Sequence, residues 1–289
     1  MPARSGRYRA RRGGGVPGVM WAFAAVVAAI LVLVLVRVAG PKPGGASPLV
    51  GQPVAASILR DVTTTPTSVL DAVGTRGINL PSGGTTQVWK DSAGKPVVFY
   101  LGAEYCPFCA ASRWVLVSGL GRFGTWRGLR YWSSSSTDVY PSTPTFTFLH
   151  ASFSSPYVDF QGVEQENQSF QPLQTPTATQ QAMLQKYGRT PYLPSNQVNS
   201  YPFIDVGNRF LWGQAVYSPG ALTGQLWPAI AASVRSGQGP AGQAILAGAN
   251  VLAAAVCAVD GGRPASVCTT AGVRAAAAKL PPPHGGKAK

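Results

Sequence analysis

"KPVVFYLGAEYCPFCAASRW", residues 95–114, runs from an apolar stretch into two cysteines three apart and then into a helix-like sequence. Val97 to Leu101 is short, β-branched and aromatic, and is bounded by Pro96 and Gly102, so it reads as a buried strand. Beyond the cysteines, Ala110, Trp114, Val117 and Gly121 are spaced 4, 3, 4, and Leu116, Leu120 and Phe123 are spaced 4, 3. Both stripes predict one helix with a wide buried face, ending near Gly124. Cys106 then falls at the N-cap, Pro107 at the first helical position and Cys109 two residues on. Proline suits that position because its missing N–H would be unpaired anyway. The unpaired N–H groups and dipole of a helix start stabilise a thiolate, and such placement lowers a cysteine pKa from ~8.5 to ~3.5–7. A thiolate on Cys106 can attack a disulfide, with Cys109, one turn away, resolving the mixed disulfide.

Other readings of the pair stay open: a structural disulfide, or a degenerate motif in a binding domain. A c-type haem needs His after the second cysteine, where Ala110 stands. Zinc needs two more ligands, and the other cysteines lie far along the chain at Cys257 and Cys268. For copper, His150 is the one third-ligand candidate. No metal or cofactor is therefore expected.

The chain has 289 residues, 45% of them apolar and 12% charged, with a formal charge of +14. Such a composition predicts a folded protein with a sizeable core. Arg4, Arg7, Arg9, Arg11 and Arg12 crowd the first twelve residues. No basic block interleaved with aromatics appears elsewhere, which argues against nucleic acid as a partner and suits a domain near an acidic surface. Gly13 to Val36 carries no charge, including "MWAFAAVVAAILVLVLV". At ~1.5 Å per residue such a helix exceeds the ~30 Å hydrocarbon core, so residues 13–39 are expected to be an uncleaved, single-pass anchor. The arginines of residues 1–12 then stay cytoplasmic and the main domain lies outside, where disulfides are permitted.

Residues 40–53 are rich in Gly and Pro and read as a linker. Residues 54–73 carry a helical pattern interrupted at Thr63-Thr64-Thr65-Pro66, and "LRYWSS" is a strand candidate. From about 133 to 200 the chain is polar with scattered aromatics, and reads as an ordered insertion in which "TFTFLHASF" forms one half-exposed strand. "SYPFIDVGNRFLW" predicts a strand, a turn at Gly207-Asn208 and a second strand. Residues 237–280 read as an Ala-rich helical C-terminal extension after a domain spanning 54–236, and 281–289 as a disordered tail. Within the extension, "AGQAILAGANVLAAAVCAV" predicts a buried helix rather than a second span, because Gln243, Asn250 and its many Ala and Gly make it weakly hydrophobic. Cys257 and Cys268 flank "DGGRP" and would face each other across a bend, as a structural disulfide or as a second redox pair relaying electrons to the first.

"VVFYLGAEYCPFC" resembles the first core strand and active site of the thioredoxin superfamily, and "YPFIDVGN" resembles the strand that follows that family's cis-proline. The resemblance implies an α/β fold with a thioredoxin-like central sheet and flanking helices, a catalytic pair Cys106 and Cys109, and substrate binding at Tyr201 and the cis-proline Pro202. "GAEYCPFCAASRW", "RFGTW" and "YPFIDVGNRF" are more closely similar to a prokaryotic family of membrane-anchored proteins known as a domain of unknown function, over about residues 55–235. In thioredoxins a buried acid lies six positions before the first cysteine. Tyr100 stands there instead, and Glu104 is expected to be exposed and without that role. The resulting expectation is a thiol-disulfide oxidoreductase acting on exported cysteine-containing proteins with a membrane redox partner. The alternative is a redox-inactive binding or scaffolding module of a membrane complex.

Overall fold

A computed structural model describes residues 47–284, so the expected cytoplasmic tail, the anchor and the first half of the linker (40–46) lie outside the described residues. In chain order the helices are α1 (Ala56–Thr63), α2 (Thr67–Val73), α3 (Pro107–Leu120), α4 (Ala178–Tyr187), α5 (Trp227–Ser236), α6 (Gly239–Asp260), α7 (Ala265–Cys268) and α8 (Ala271–Ala277). The strands are β1 (Ser82–Gly83), β2 (Val97–Gly102), β3 (Thr125–Arg127), β4 (Arg130–Ser133), β5 (Pro144–Thr147), β6 (Ser152–Ser154), β7 (Asp159–Glu164), β8 (Phe203–Val206) and β9 (Phe210–Trp212).

The result is a mixed α/β fold around a five-stranded mixed sheet of order β1-β9-β8-β2-β7. β2 sits centrally and is buried along its whole length, which explains its continuous apolar run. It pairs parallel with β7 and antiparallel with β8, while β8 and β9 form the expected hairpin through Gly207 and Asn208, both at positive φ. One face of the sheet packs on α3 and α6, and the other carries a smaller core with Tyr187, Leu193 and Leu211.

Three expectations change. The segment 133–200 is not wholly an insertion, because β7 within it is a strand of the central sheet. β7 is an edge strand with a half-buried sequence, "DFQGVE", so it lacks the apolar run that marks a central strand. "TFTFLHASF" is not one alternating strand. Pro144–Thr147 is buried on both faces as β5, the chain turns at His150 (φ 64°), and β6 follows. Finally, the Ala-rich stretch is no appendage. α6 is long and apolar enough to cross a membrane, yet 78% of its most apolar window is buried within the domain. Small residues let it approach α3 closely: a Cβ on Gly248 would lie 2.7 Å from Val115, and one on Gly119 would lie 2.8 Å from Leu252.

Tryptophan N–H groups tie loops to this core. Trp114 Nε1 donates to the Pro144 carbonyl at 2.8 Å and Trp212 Nε1 to that of Asn79 at 2.9 Å. Of the tail expected to be disordered, residues up to His284 are described, and the His284 N–H donates to the Gly84 carbonyl at 2.7 Å.

Candidate active site

The chain leaves β2 at Gly102, turns through Ala103–Tyr105, and enters α3 with Cys106 as its N-cap (φ −78°, ψ 121°) and Pro107 following. The Cys109 N–H, free because it begins the helix, donates to Cys106 Sγ at 3.2 Å. Neither thiol is bonded to another; Cys106 is 5% exposed and Cys109 fully buried. A hydrogen bond from the Cys109 thiol lowers the Cys106 pKa against its burial, helped by the backbone N–H groups of Cys109 and Phe108 and by the Arg113 charge. Burial pushes the Cys109 thiol well up, and its bond to Cys106 adds to this. The two thiols are thus pushed apart, Cys106 toward the thiolate and Cys109 toward the neutral thiol.

Behind the pair lies a buried charge cluster. Arg113, one turn beyond Cys109, is fully buried. Its Nε donates to Glu164 Oε1 at 2.9 Å, and its Nη2 to Glu164 Oε2 at 2.6 Å and to the Ala103 carbonyl at 2.9 Å. Glu164 ends β7, opposite Gly102 in the parallel register. Contrary to its expected exposure, Glu104 is 1% exposed, with Oε2 3.9 Å from Arg113 Nη2 and Oε1 accepting from the Thr147 hydroxyl. Burial, then the Glu164 charge, pushes the Glu104 carboxyl up to about 8, against Arg113 and Thr147. One cation between two carboxyls explains the outcome: at neutral pH Arg113 and Glu164 form the ion pair and Glu104 keeps its proton.

This raised value has a stability consequence. The folded chain holds a proton on Glu104 that the unfolded chain releases near its ordinary pKa of 4.5. Stability therefore falls as pH rises from that value to about 8 and levels off above it. Glu104→Gln mimics the protonated acid, and is expected to flatten this slope and raise the urea midpoint at pH 8. Asp205, buried and likewise pushed up to about 8, supplies the slope that remains. An unchanged pH profile in Glu104→Gln would show that Glu104 is ionised in the folded state.

Tyr100, six residues before Cys106, is buried, and its ring lies 5.8 Å from the Arg113 guanidinium carbon. Its hydroxyl and Cys109 Sγ converge on Gly102, where a Cβ would lie 2.1 Å from the oxygen and 3.0 Å from the sulfur. Glycine is required there by this close approach. Burial pushes the Tyr100 hydroxyl well up, so it stays a phenol, and it has no hydrogen-bond partner among the described residues.

The register Leu101↔Phe203 continues to put Pro202 beside Gly102, at the end of the sheet that carries the cysteines. The Tyr201–Pro202 peptide bond is cis. The Tyr201 hydroxyl donates to Gln165 Oε1 at 2.6 Å and approaches Glu166 Oε1 at 3.3 Å. Cys257 and Cys268 stand elsewhere, joined as a disulfide with Cα atoms 5.7 Å apart. Val259, two residues from Cys257, packs on Gly207 at the opposite end of β8 from Pro202. His150 is exposed on its turn, and among the described residues no three His, Cys, Asp or Glu side chains converge as a metal site would need.

Sequence reasoning missed Arg113, Glu104, Glu164 and Thr147. The available signal was Arg113 itself, a lone charge within the otherwise apolar "CAASRWVLVSGL", which requires a buried carboxylate partner.

A mixed α/β domain with a buried dithiol at the start of its central helix is the class that fold and site define. Residues 90–258 match the family described as Domain of unknown function (DUF929), and the chain belongs to that family. No curated protein and no solved structure matches the chain.

Proposed function

We propose that the chain is a membrane-anchored, extracytoplasmic thiol-disulfide oxidoreductase with a thioredoxin-like core, acting on exported cysteine-containing proteins. The observation that carries this reading is the pairing at the helix start, where Cys106 Sγ accepts the Cys109 N–H and the two thiols are pushed in opposite directions. Two placements support the core assignment: the cysteines follow the buried strand β2, and Pro202, the proline the resemblance names, enters the neighbouring strand β8. Anchoring and orientation rest on the arginines of residues 1–12 and the uncharged stretch after them.

In the exchange, the Cys106 thiolate attacks one sulfur of a substrate disulfide, and the other leaves as a thiolate that takes up a proton. Cys109 then loses its proton and attacks Cys106 Sγ, releasing the second substrate thiol. The protein dithiol ends as a disulfide and the substrate disulfide as two thiols; an oxidised chain runs the same steps backwards. Holding Cys109 neutral until the mixed disulfide forms keeps the steps in order. Equilibrating the full-length chain in thiol–disulfide buffers tests this, with a reversible Cys106–Cys109 couple as the expected result. A pair inert across the whole range would make the protein a binding module.

The Cys257–Cys268 bond is assigned a structural role in the same reading. Replacing both residues by Ala is expected to lower stability by roughly 2–3 kcal/mol, as for a short closed loop, while exchange at Cys106 persists. Loss of exchange at unchanged stability would instead make this pair an electron relay.

A further inference from the structure

The mouth of the cysteine site is lined by exposed apolar side chains on two loops that clasp the motif. The Ser135 N–H donates to the Tyr105 carbonyl at 2.8 Å, which ties the 134–143 loop to one side of the motif. Gln168 Nε2 donates to the Ser133 carbonyl at 2.5 Å, which ties in the 165–173 loop. Each loop then pairs an aromatic with the motif: Phe170 stands 4.2 Å from Tyr105, and Tyr140 stands 5.9 Å from Phe108. Cys106 therefore lies between two aromatic pairs. Among the described residues only seven large apolar side chains are strongly exposed, and Phe108, Val139, Phe170 and Leu173 are four of them. Val139 is 73% exposed and Phe170 57%.

Phe170 is held there at a cost. It adopts φ 60°, which bulky residues rarely do. Asn167 fixes the turn, its Oδ1 accepting the N–H groups of Ser169 at 2.8 Å and Gln171 at 3.1 Å. Exposing an aromatic in an unfavourable backbone state adds nothing to the fold.

Charge then selects the occupant. The chain carries 24 Lys and Arg against 10 Asp and Glu, yet "SSSTDVYPST" (134–143) and "QENQSFQPL" (165–173) contain no cation. Their charged residues are Asp138 and Glu166, and after burial both push the Tyr105 hydroxyl up. Arg113, close behind the pair, is fully buried and engaged by Glu164. An anionic small thiol such as glutathione finds no counter-charge at such a mouth, whereas an apolar polypeptide segment without acidic residues finds matching surface.

Resting on the thiol-exchange reading, we infer that the two aromatic pairs and Val139 form a docking surface for an extended, apolar, non-acidic polypeptide segment carrying the target cysteine. The attack it serves is balanced as above: a Cys106–substrate sulfur bond forms, the substrate disulfide breaks, and the leaving sulfur carries away the electron pair.

The test uses the full-length Cys109→Ala chain and measures release of 2-thiopyridone from three thiopyridyl mixed disulfides: those of an Ac-Ala-Phe-Cys-Leu-Ala amide, of glutathione and of 2-mercaptoethanol. The peptide probe is expected to react about tenfold or more faster than either other probe, the scale of one apolar side chain in a matching pocket. Phe170→Ser and Val139→Ser should each lower the ratio of the peptide rate to the mercaptoethanol rate several-fold. Equal rates for all probes, a preference for glutathione, or a ratio unmoved in both variants would overturn the docking surface while leaving exchange at Cys106 intact. No reaction with any probe would overturn exchange itself, and this inference with it.

Discussion

In cells producing the full-length Cys109→Ala chain, Cys106 is expected to be recovered mainly as mixed disulfides with other proteins, where the unaltered chain yields only traces. The first attack needs only the Cys106 thiolate, which the helix start and Arg113 stabilise. Release needs the buried Cys109 thiol, which is absent in this variant. Rapid acid quenching, alkylation and non-reducing gels would show the adducts, and identifying the captured proteins would give the substrates. Adding Cys106→Ser should abolish them. Recovery of Cys106 as a free thiol in the Cys109→Ala chain, with no adducts, would leave the scaffold reading in place.

Arg113→Met is expected to destabilise the fold by about 3–5 kcal/mol, because Glu164 would remain fully buried with no counter-ion. Glu164→Gln in the same chain removes the stranded charge and should recover a large part of that loss, since a buried pair as a whole contributes little net stability. Urea midpoints of the single and double variants measure both. The Cys106 thiol, deprived of the Arg113 charge, should titrate higher in the double variant than in the unaltered chain, which a merely structural arginine would not cause. A single variant as stable as the parent would mean that Glu164 reaches water or binds a proton at no cost.

The parts of this site that follow chain-local rules were legible in the sequence. β2 is a central strand with an unbroken apolar run, and Cys106-Pro107 is a helix start by composition alone. The hairpin β8–β9 announces itself by "VGN" between two apolar runs, and α6 by its length. What was illegible depends on partners distant in the chain. Glu104 gives no local sign of burial; Arg113, Thr147 and Glu164, up to 60 residues away in sequence, close over it. β7 borrows its stability from β2 and so needs little apolar character of its own. The alternation of "TFTFLHASF" fails because Trp114 and Trp227 hold the Pro144 and Thr145 carbonyls, burying both faces before the turn.

The close seat of α6 on α3, at Gly119 and Gly248, also sets an order of events during synthesis. The cysteine helix is complete by Leu120, but the helix that covers its back begins at Gly239. More than a hundred residues must emerge in between, with Val115, Gly119 and their neighbours open to water on an unfinished domain. Contacts between segments so far apart form late. A ribosome stalled, or a chain cut, anywhere before α6 therefore leaves the apolar back of the cysteine helix uncovered, and Cys257 arrives only with the helix that covers it.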